Sequence, residues 1–368
     1  MHVGVLFTYR MSLQKWSDAG LLERELAIHR RLVESGVRVT LITYGNGDEL
    51  AYTNSVAPIQ IACNRWRIPR RWYAGHLALV HSRLLRDCDL IRTNQMEGAD
   101  AARRLAQTLD IPWIARSGYL WADTVRQLKG TDEARSAYAE EDRGYRHATR
   151  ISVTTREMAQ TLSVKYPECD HRIRVVPNYV DTSVFTPGPP AESPVDVVFV
   201  GRLSQEKNLP VLLEALRGRP WRALIIGDGP ERNAWQTEFA DLGEQVSWLG
   251  SIPNQHLPGQ LARASLMVLP SLLEGHPKAV FEAMACGVPV VVADRPGLRD
   301  AVQHHRTGWH FDGTATGLRQ ALDVLLSDSA LRKRLATDAC ERVRSTLSLD
   351  RIVQLELSLY EETLRASR

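Results

Sequence analysis

Residues 271–294 read SLLEGHPKAVFEAMACGVPVVVAD, and they carry one complete step of an α/β fold. The apolar run LMVLPS that leads into them is a strand ending in a polar loop, where Glu274 falls. Pro277 suits the first turn of a helix, because its missing N–H has no intrahelical partner to lose. The apolar run Ala279 to Cys286 is that helix, Gly287 is placed to cap it, and Val288 onward is the next strand. Strand, crossover helix and strand in so short a span read as a βαβ unit of a parallel sheet.

The alternation extends both ways. HVGVLFT, RVTLIT, LIRTN, WIARS, ISVTT and IRVVPN precede it as short strand candidates, and VDVVFVG, ALIIGD, VSWLG, LMVLPS, PVVVAD and GWHFD make a second set. Between the sets lies TPGPPAESP, Thr186 to Pro194, whose four prolines and one glycine forbid regular structure and mark a linker. The expected organisation is α/β with two Rossmann-like domains, 1–187 and 188–349, whose parallel sheets present their strand carboxyl ends to an interdomain cleft. A stripe at Ile352, Leu355, Leu357, Leu359, Tyr360 and Leu364 makes the stretch of about 350–368 a helix. It has two possible seats, across the first domain or on the second alone.

The 368 residues suit two domains, since a domain averages roughly 150 residues. Lys and Arg total 46 against 43 Asp and Glu, a net +3 that supplies no field for binding nucleic acid. Cys63, Cys88, Cys169, Cys286 and Cys340 are odd in number, scattered and never in a C-x-x-C pair, so neither a disulfide framework nor a thiolate zinc site is expected. No apolar run approaches the roughly 18 residues of a membrane span, and the opening residues lack the form of a signal peptide. A cytoplasmic protein is expected, with room for peripheral contact at the inner membrane face.

Two stretches carry candidate chemistry. The helix beginning near Pro277 should aim its free N–H groups and positive dipole end at an anion such as phosphate. Glu282 lies inside that helix in an apolar run, and Glu274 stays in the loop, so two carboxylates can reach one ligand at separated points as acceptors for sugar hydroxyls. In VVFVGRLSQEKNLPVLLEAL, residues 197–216, a strand ends at Gly201 and a helix starts near Leu209. Arg202 and Lys207 flank that turn and could neutralise a diphosphate, Arg by a forked contact and Lys as a point charge. A weaker signal is Gly20 before the helix Leu21 to Glu34, where backbone could approach a phosphate.

VGRLSQEKN, IIGDGPER, LGSIPN, VLPSLLEGHPKAVFEAMACGVPVVVAD and RTGWHFDG, in that order, resemble the carboxyl domain of family 4 glycosyltransferases of the GT-B fold. Glu274 and Glu282 match that family's E-x7-E pair, and RVVPNYVDTSVFTP resembles the stretch leading to its interdomain linker. The resemblance implies a retaining, metal-independent transferase that takes a sugar from a nucleotide diphosphate donor, UDP first and GDP next, without a cofactor. By the same resemblance, Arg202 and Lys207 hold the diphosphate, Glu282 accepts from the ribose diol, and Glu274 contacts the transferred sugar. The backbone of His276, Pro277, Lys278, Ala279 and Val280 faces sugar and phosphates, the backbone near Ile252 meets the base, and Gly20 and Gly201 lie close to the donor.

Three departures stand out. WIARSGYLW occupies the place of a family histidine, so Arg116, Tyr119 and Trp121 become donor or acceptor candidates. The usual Pro-Asn-Gly is Pro177, Asn178, Tyr179, which puts a side chain where the family has none. The paired glycines of the first loop are reduced to Gly20. The acceptor could be a glycan, a lipid-linked intermediate or a small metabolite.

NRWRIPRRWY, residues 64–73, reads either as a solvated basic loop with its rings turned inward or as a docking site for an anionic lipid or acceptor. Asp87, Cys88 and Asp89 match a metal-binding D-x-D but precede a strand and read as a turn, and His304 and His305 read as surface. Two rival functions use the same architecture: a UDP-GlcNAc 2-epimerase and a non-catalytic nucleotide-sugar-binding subunit.

Overall fold

All the strand candidates named above form strands in the computed structural model, which describes residues 1–189 and 194–367. The first sheet contains β1 His2–Leu6, β2 Arg38–Ile42, β3 Gln60–Ala62, β4 Leu90–Thr93, β5 Trp113–Ser117, β6 Arg150–Val153 and β7 Ile173–Val175. The second contains β8 Val195–Val200, β9 Ala223–Ile226, β10 Val246–Gly250, β11 Ala264–Leu269, β12 Val290–Ala293 and β13 Trp309–Phe311. Both are parallel throughout, in the orders 3-2-1-4-5-6-7 and 10-9-8-11-12-13. Strands such as Val290–Ala293 are buried at every position, which is why they read as continuous apolar runs rather than alternating ones. β3 was not expected. Its three residues pair only with β2 at the sheet edge and are too few to display a period.

The strand order reverses between β1 and β4 in the first sheet and between β8 and β11 in the second. Outside the carboxyl ends of such a pair is where open α/β sheets bind ligands.

The chain divides into two compact units, Met1–Pro177 with Leu349–Arg368, and Asn178–Ser348. The division falls earlier than the 187/188 boundary read from the proline-rich stretch, of which residues 190–193 lie outside the described residues. The reason is in the contacts: Asn178 Nδ2 donates to the His276 carbonyl at 2.8 Å, Val180 N to the Leu347 carbonyl at 2.8 Å, and Phe185 is buried in the second core. Prolines mark where regular structure stops, not where packing changes hands.

Of the two seats open to the final helix, Leu349–Arg365 takes the one in the first unit, against the helix Leu22–Glu34. It buries Ile352, Val353, Leu359 and Tyr360, and each such apolar side chain contributes roughly 1.5–3 kcal/mol relative to exposure. Arg31 pairs with Asp350 at 2.6 Å and Arg174 with Glu362 at 2.8 Å on its rim. Arg92, on β4, pairs with Glu356 at 2.7 Å with both side chains almost fully buried.

Candidate active site

The second unit's reversal point gathers the charged candidates. After β8 the chain turns through Gly201 and Arg202 into a short 3₁₀ turn, Gln205–Lys207, and Asn208 takes a left-handed conformation at φ 51 before the helix Pro210–Leu216. The loop after β11 is stitched to this turn: Leu272 N donates to the Glu206 carbonyl at 2.8 Å and Asn208 Nδ2 to the Pro270 carbonyl at 3.3 Å. The two loops thus bring Lys207 Nζ to 2.5 Å from Glu274 Oε1, the carboxylate being only 9% exposed. Arg202 is exposed and makes no ion pair among the described residues. A lysine committed to a glutamate beside an uncommitted arginine leaves one cation free for an incoming anion and a second that can exchange partners.

Gly297 holds this arrangement closed from behind. It sits at φ 76, and a β-carbon there would lie 2.1 Å from the Glu274 carbonyl oxygen, so only a residue without a side chain permits the approach.

The helix that follows spans Lys278–Ala285, with Pro277 at its N-cap and Gly287 at φ 72 just beyond its end. His276 is fixed ahead of it by Asn178, whose backbone N–H donates to His276 Nδ1 at 3.3 Å, and by its ring against Phe281 at 4.3 Å. Glu282 is 2% exposed, and its Oε1 accepts from Asn254 Nδ2 at 3.3 Å. Ile252 is half-buried against the core two residues before Asn254. Tyr179, where the resemblance has glycine, is buried in this unit with the Lys278 ammonium 5.2 Å from its ring centre. The sequence alone assigns no role to Asn254 or Asn178. Both lie inside LGSIPN and RVVPNYVDTSVFTP, and only the fold shows which carboxylate or histidine each one holds.

The first unit's reversal point is built differently. Tyr9 N donates to the Glu97 carbonyl at 3.0 Å, tying the loop after β1 to the loop after β4. Gly118 N donates to Gln95 Oε1 at 2.8 Å, bringing in the loop after β5. Glu140 Oε1 accepts from Gly98 N and Asp100 N at 3.0 and 3.2 Å, and Glu141 Oε1 from Ala122 N at 3.2 Å, so two carboxylates cap the amino ends of the neighbouring helices. Burial raises all three nearby acids, Glu97, Glu140 and Glu141, the last to about 7.

Among the sequence candidates here, Arg116 is turned inward, its Nη1 donating to the Asn94 carbonyl at 3.2 Å. Tyr119 is pushed up to about 12, by burial first and then by Glu97 and Glu141. Trp121 opens the helix Trp121–Lys129, half-buried. Gly20 precedes the helix Leu22–Glu34 as expected, but the stretch before it is not a plain loop. An unpredicted helix, Leu13–Asp18, fills that loop, with the Ser12 hydroxyl accepting from Lys15 N at 3.1 Å, and Gly20 at φ 69 completes its end cap. Asp89 likewise has a structural partner, accepting from His2 N at 2.6 Å at the amino end of β4.

Two family models meet on this chain end to end, Glycosyltransferase Family 4 over residues 26–184 and Glycosyl transferases group 1 over residues 184–342. The chain belongs to the family 4 glycosyltransferases. This glycosyltransferase is 28% identical over 172 residues to the uncharacterized glycosyltransferase MJ1607 of Methanocaldococcus jannaschii, a stretch covering 45% of this chain and 44% of that protein. It therefore spans less than half of that relative's length. It is 28% identical over 305 residues to the D-inositol 3-phosphate glycosyltransferase of Corynebacterium glutamicum, covering 75% of this chain and 72% of that one. Among solved structures, HepE of Anabaena in complex with UDP-glucose superposes with a TM-score of 0.77 at 19% identity, over all of both chains. That likeness establishes the GT-B fold of the glycosyltransferase, with its two Rossmann-like sheets.

Proposed function

We propose that this glycosyltransferase moves a sugar from a nucleotide diphosphate-sugar to an acceptor hydroxyl with retention of configuration and without a metal. The observation that carries the reading is the meeting of Arg202, Lys207, Glu274 and the start of the Lys278–Ala285 helix at the reversal point of the second sheet. Arg202 takes the diphosphate by a forked contact. The same anion competes for Lys207, drawing the ammonium from Glu274 and releasing that carboxylate to accept from the sugar's hydroxyls. Both cations then face the charge that grows on the leaving phosphate, the electrostatic stabilisation that commonly contributes most to such a reaction. Glu282, held by Asn254, accepts from the ribose diol, and the backbone around Ile252 meets the base. The leaving phosphate itself takes the acceptor's proton, so no separate protein base is assigned.

UDP is the favoured nucleotide and GDP the next, on the support of the UDP-glucose held by the Anabaena relative. The acceptor is a glycan, a lipid-linked intermediate or a small metabolite, met at the cytoplasmic face. No described helix is long and apolar enough to cross a membrane.

Arg202→Ala should lower kcat/KM about a hundred- to a thousandfold and weaken UDP binding, measured by transfer assay and titration calorimetry. EDTA should leave the wild type unaffected. Undiminished transfer in both Arg202→Ala and Lys207→Ala would remove the assignment. Conversion of UDP-GlcNAc with no acceptor present would point instead to an epimerase, and nucleotide binding with no turnover of any kind to a non-catalytic subunit.

A further inference from the structure

Between Glu49 and Asp87 the chain carries six arginines and no acidic residue, although the whole is close to charge balance. The fold gives this stretch a rigid base. Asn64 closes the loop on itself, its Nδ2 donating to the Ile68 carbonyl at 2.7 Å and its Oδ1 accepting from Ile68 N at 2.9 Å. Tyr73 is fully buried below, its hydroxyl 2.8 Å from His81 Nε2 and 3.0 Å from the Thr43 carbonyl. Tyr73, Leu77 and Leu85 face in, whereas Trp66 is 51% exposed, Trp72 45% and Leu79 69%.

Of the two readings open to residues 64–73, the rings turned inward hold for Tyr73 alone. Both tryptophans are ordered at the surface, Trp66 under the Arg65 guanidinium at 4.0 Å and Trp72 stacked on His76 at 4.1 Å. Arg65, Arg67, Arg70, Arg71 and Arg83 are exposed, and none pairs with a carboxylate among the described residues.

We propose that the exposed Trp66, Trp72 and Leu79, together with the exposed Arg65, Arg67, Arg70 and Arg71, dock the glycosyltransferase on an anionic phospholipid bilayer. The charge favours any polyanion. The apolar side chains decide among them: tryptophan and leucine held out into water at a cost regain that cost at the headgroup boundary, where apolar area is buried beside cationic side chains. Rings already fixed by their neighbours lose little freedom on docking.

The test is flotation of the full chain with vesicles of phosphatidylcholine plus phosphatidylglycerol, against phosphatidylcholine alone. Binding to the anionic vesicles only, weakening as salt is raised, is expected. Each arginine contributes about fivefold near such a surface, so replacing Arg65, Arg67, Arg70 and Arg71 together by Ala should lower partition by at least a hundredfold. The double variant Arg334→Ala and Arg344→Ala, on the other unit, should change nothing. Trp72→Ala alone, checked for fold by circular dichroism, should weaken vesicle binding severalfold and keep its salt dependence. Equal flotation of wild type and the quadruple variant overturns the proposal. So does tight binding of soluble polyphosphate that ignores Trp72→Ala while no vesicle is bound, which makes the face a polyanion site instead. Vesicle binding is read without turnover, so its failure leaves the transfer chemistry standing, and UDP binding tests that separately.

Discussion

The two reversal points share a topology and differ in what they spend it on. In the second unit, Arg202 is exposed and Lys207 is held by a single glutamate, so the charge is available to an anion. In the first unit the carboxylates of Glu140 and Glu141 are consumed in capping helices, Arg116 in holding a backbone carbonyl, and Arg92 in pairing with Glu356. One sheet end is poised and the other braced. A parallel sheet makes a place where loops converge but leaves open whether the polar groups there serve the fold or a ligand.

The largest expected effect tests the bracing. Removing one partner of a buried ion pair leaves an uncompensated charge and costs about 3–5 kcal/mol. Glu356→Ala should therefore lower the melting temperature sharply, with hydrogen exchange accelerated in residues 1–177 and 349–365 and unchanged in 178–348. Loss of protection spread evenly over both units would break the contrast. Next, Lys207→Ala should lower kcat/KM by about a hundredfold or more and lower the melting temperature less than Glu356→Ala does, since Lys207 and Glu274 are 21% and 9% exposed where Arg92 and Glu356 are 5% and 2%. A large fall in stability would mean that the second unit is braced as well.

Glu141→Gln is a finer probe. Its folded pKa of about 7 lies above the unfolded value of 4.5, so the folded state binds the extra proton between them. Its contribution to stability is fully present below about pH 4.5 and is lost as pH rises through 7. Glutamine keeps the acceptor for Ala122 N without the charge. The variant should thus match wild type in acid and exceed it by on the order of 3 kcal/mol above neutrality, read as melting temperature against pH. The smallest effect belongs to Asn254→Ala, which removes one hydrogen bond to Glu282 and should weaken UDP binding by roughly three- to tenfold while leaving the rate at saturation alone.

The same contrast explains what could be read in advance. Strands buried on both faces announce themselves in a few consecutive residues, so Val195–Val200 and Val290–Ala293 were visible without any knowledge of their neighbours, whereas Gln60–Ala62 at an edge was not. Arg202, Lys207, Glu274 and Glu282 sit at fixed offsets from those strands, and a local pattern is enough to place them. Glu140 and Glu141 lie in the middle of a polar helix, Thr131–His147, where most residues are charged or polar. Nothing nearby in sequence distinguishes the two that tertiary packing buries. Gly20 was visible as a glycine, but its task, ending a helix that the sequence pattern did not reveal, depends on Ser12 and Trp16 adopting that helix first.

The helix Leu349–Arg365 is made after the whole of the second unit, yet it supplies Glu356 to β4 in the first. In topological terms the second unit is an insert, spliced into the first at 177/178 and 348/349. A ribosome finishes the later unit before the earlier one, so the nascent first sheet must wait with Arg92 uncompensated. Exchanging second units between relatives accordingly means cutting the chain at two junctions, because a chimaera joined only at the first would carry a foreign helix against its own β4.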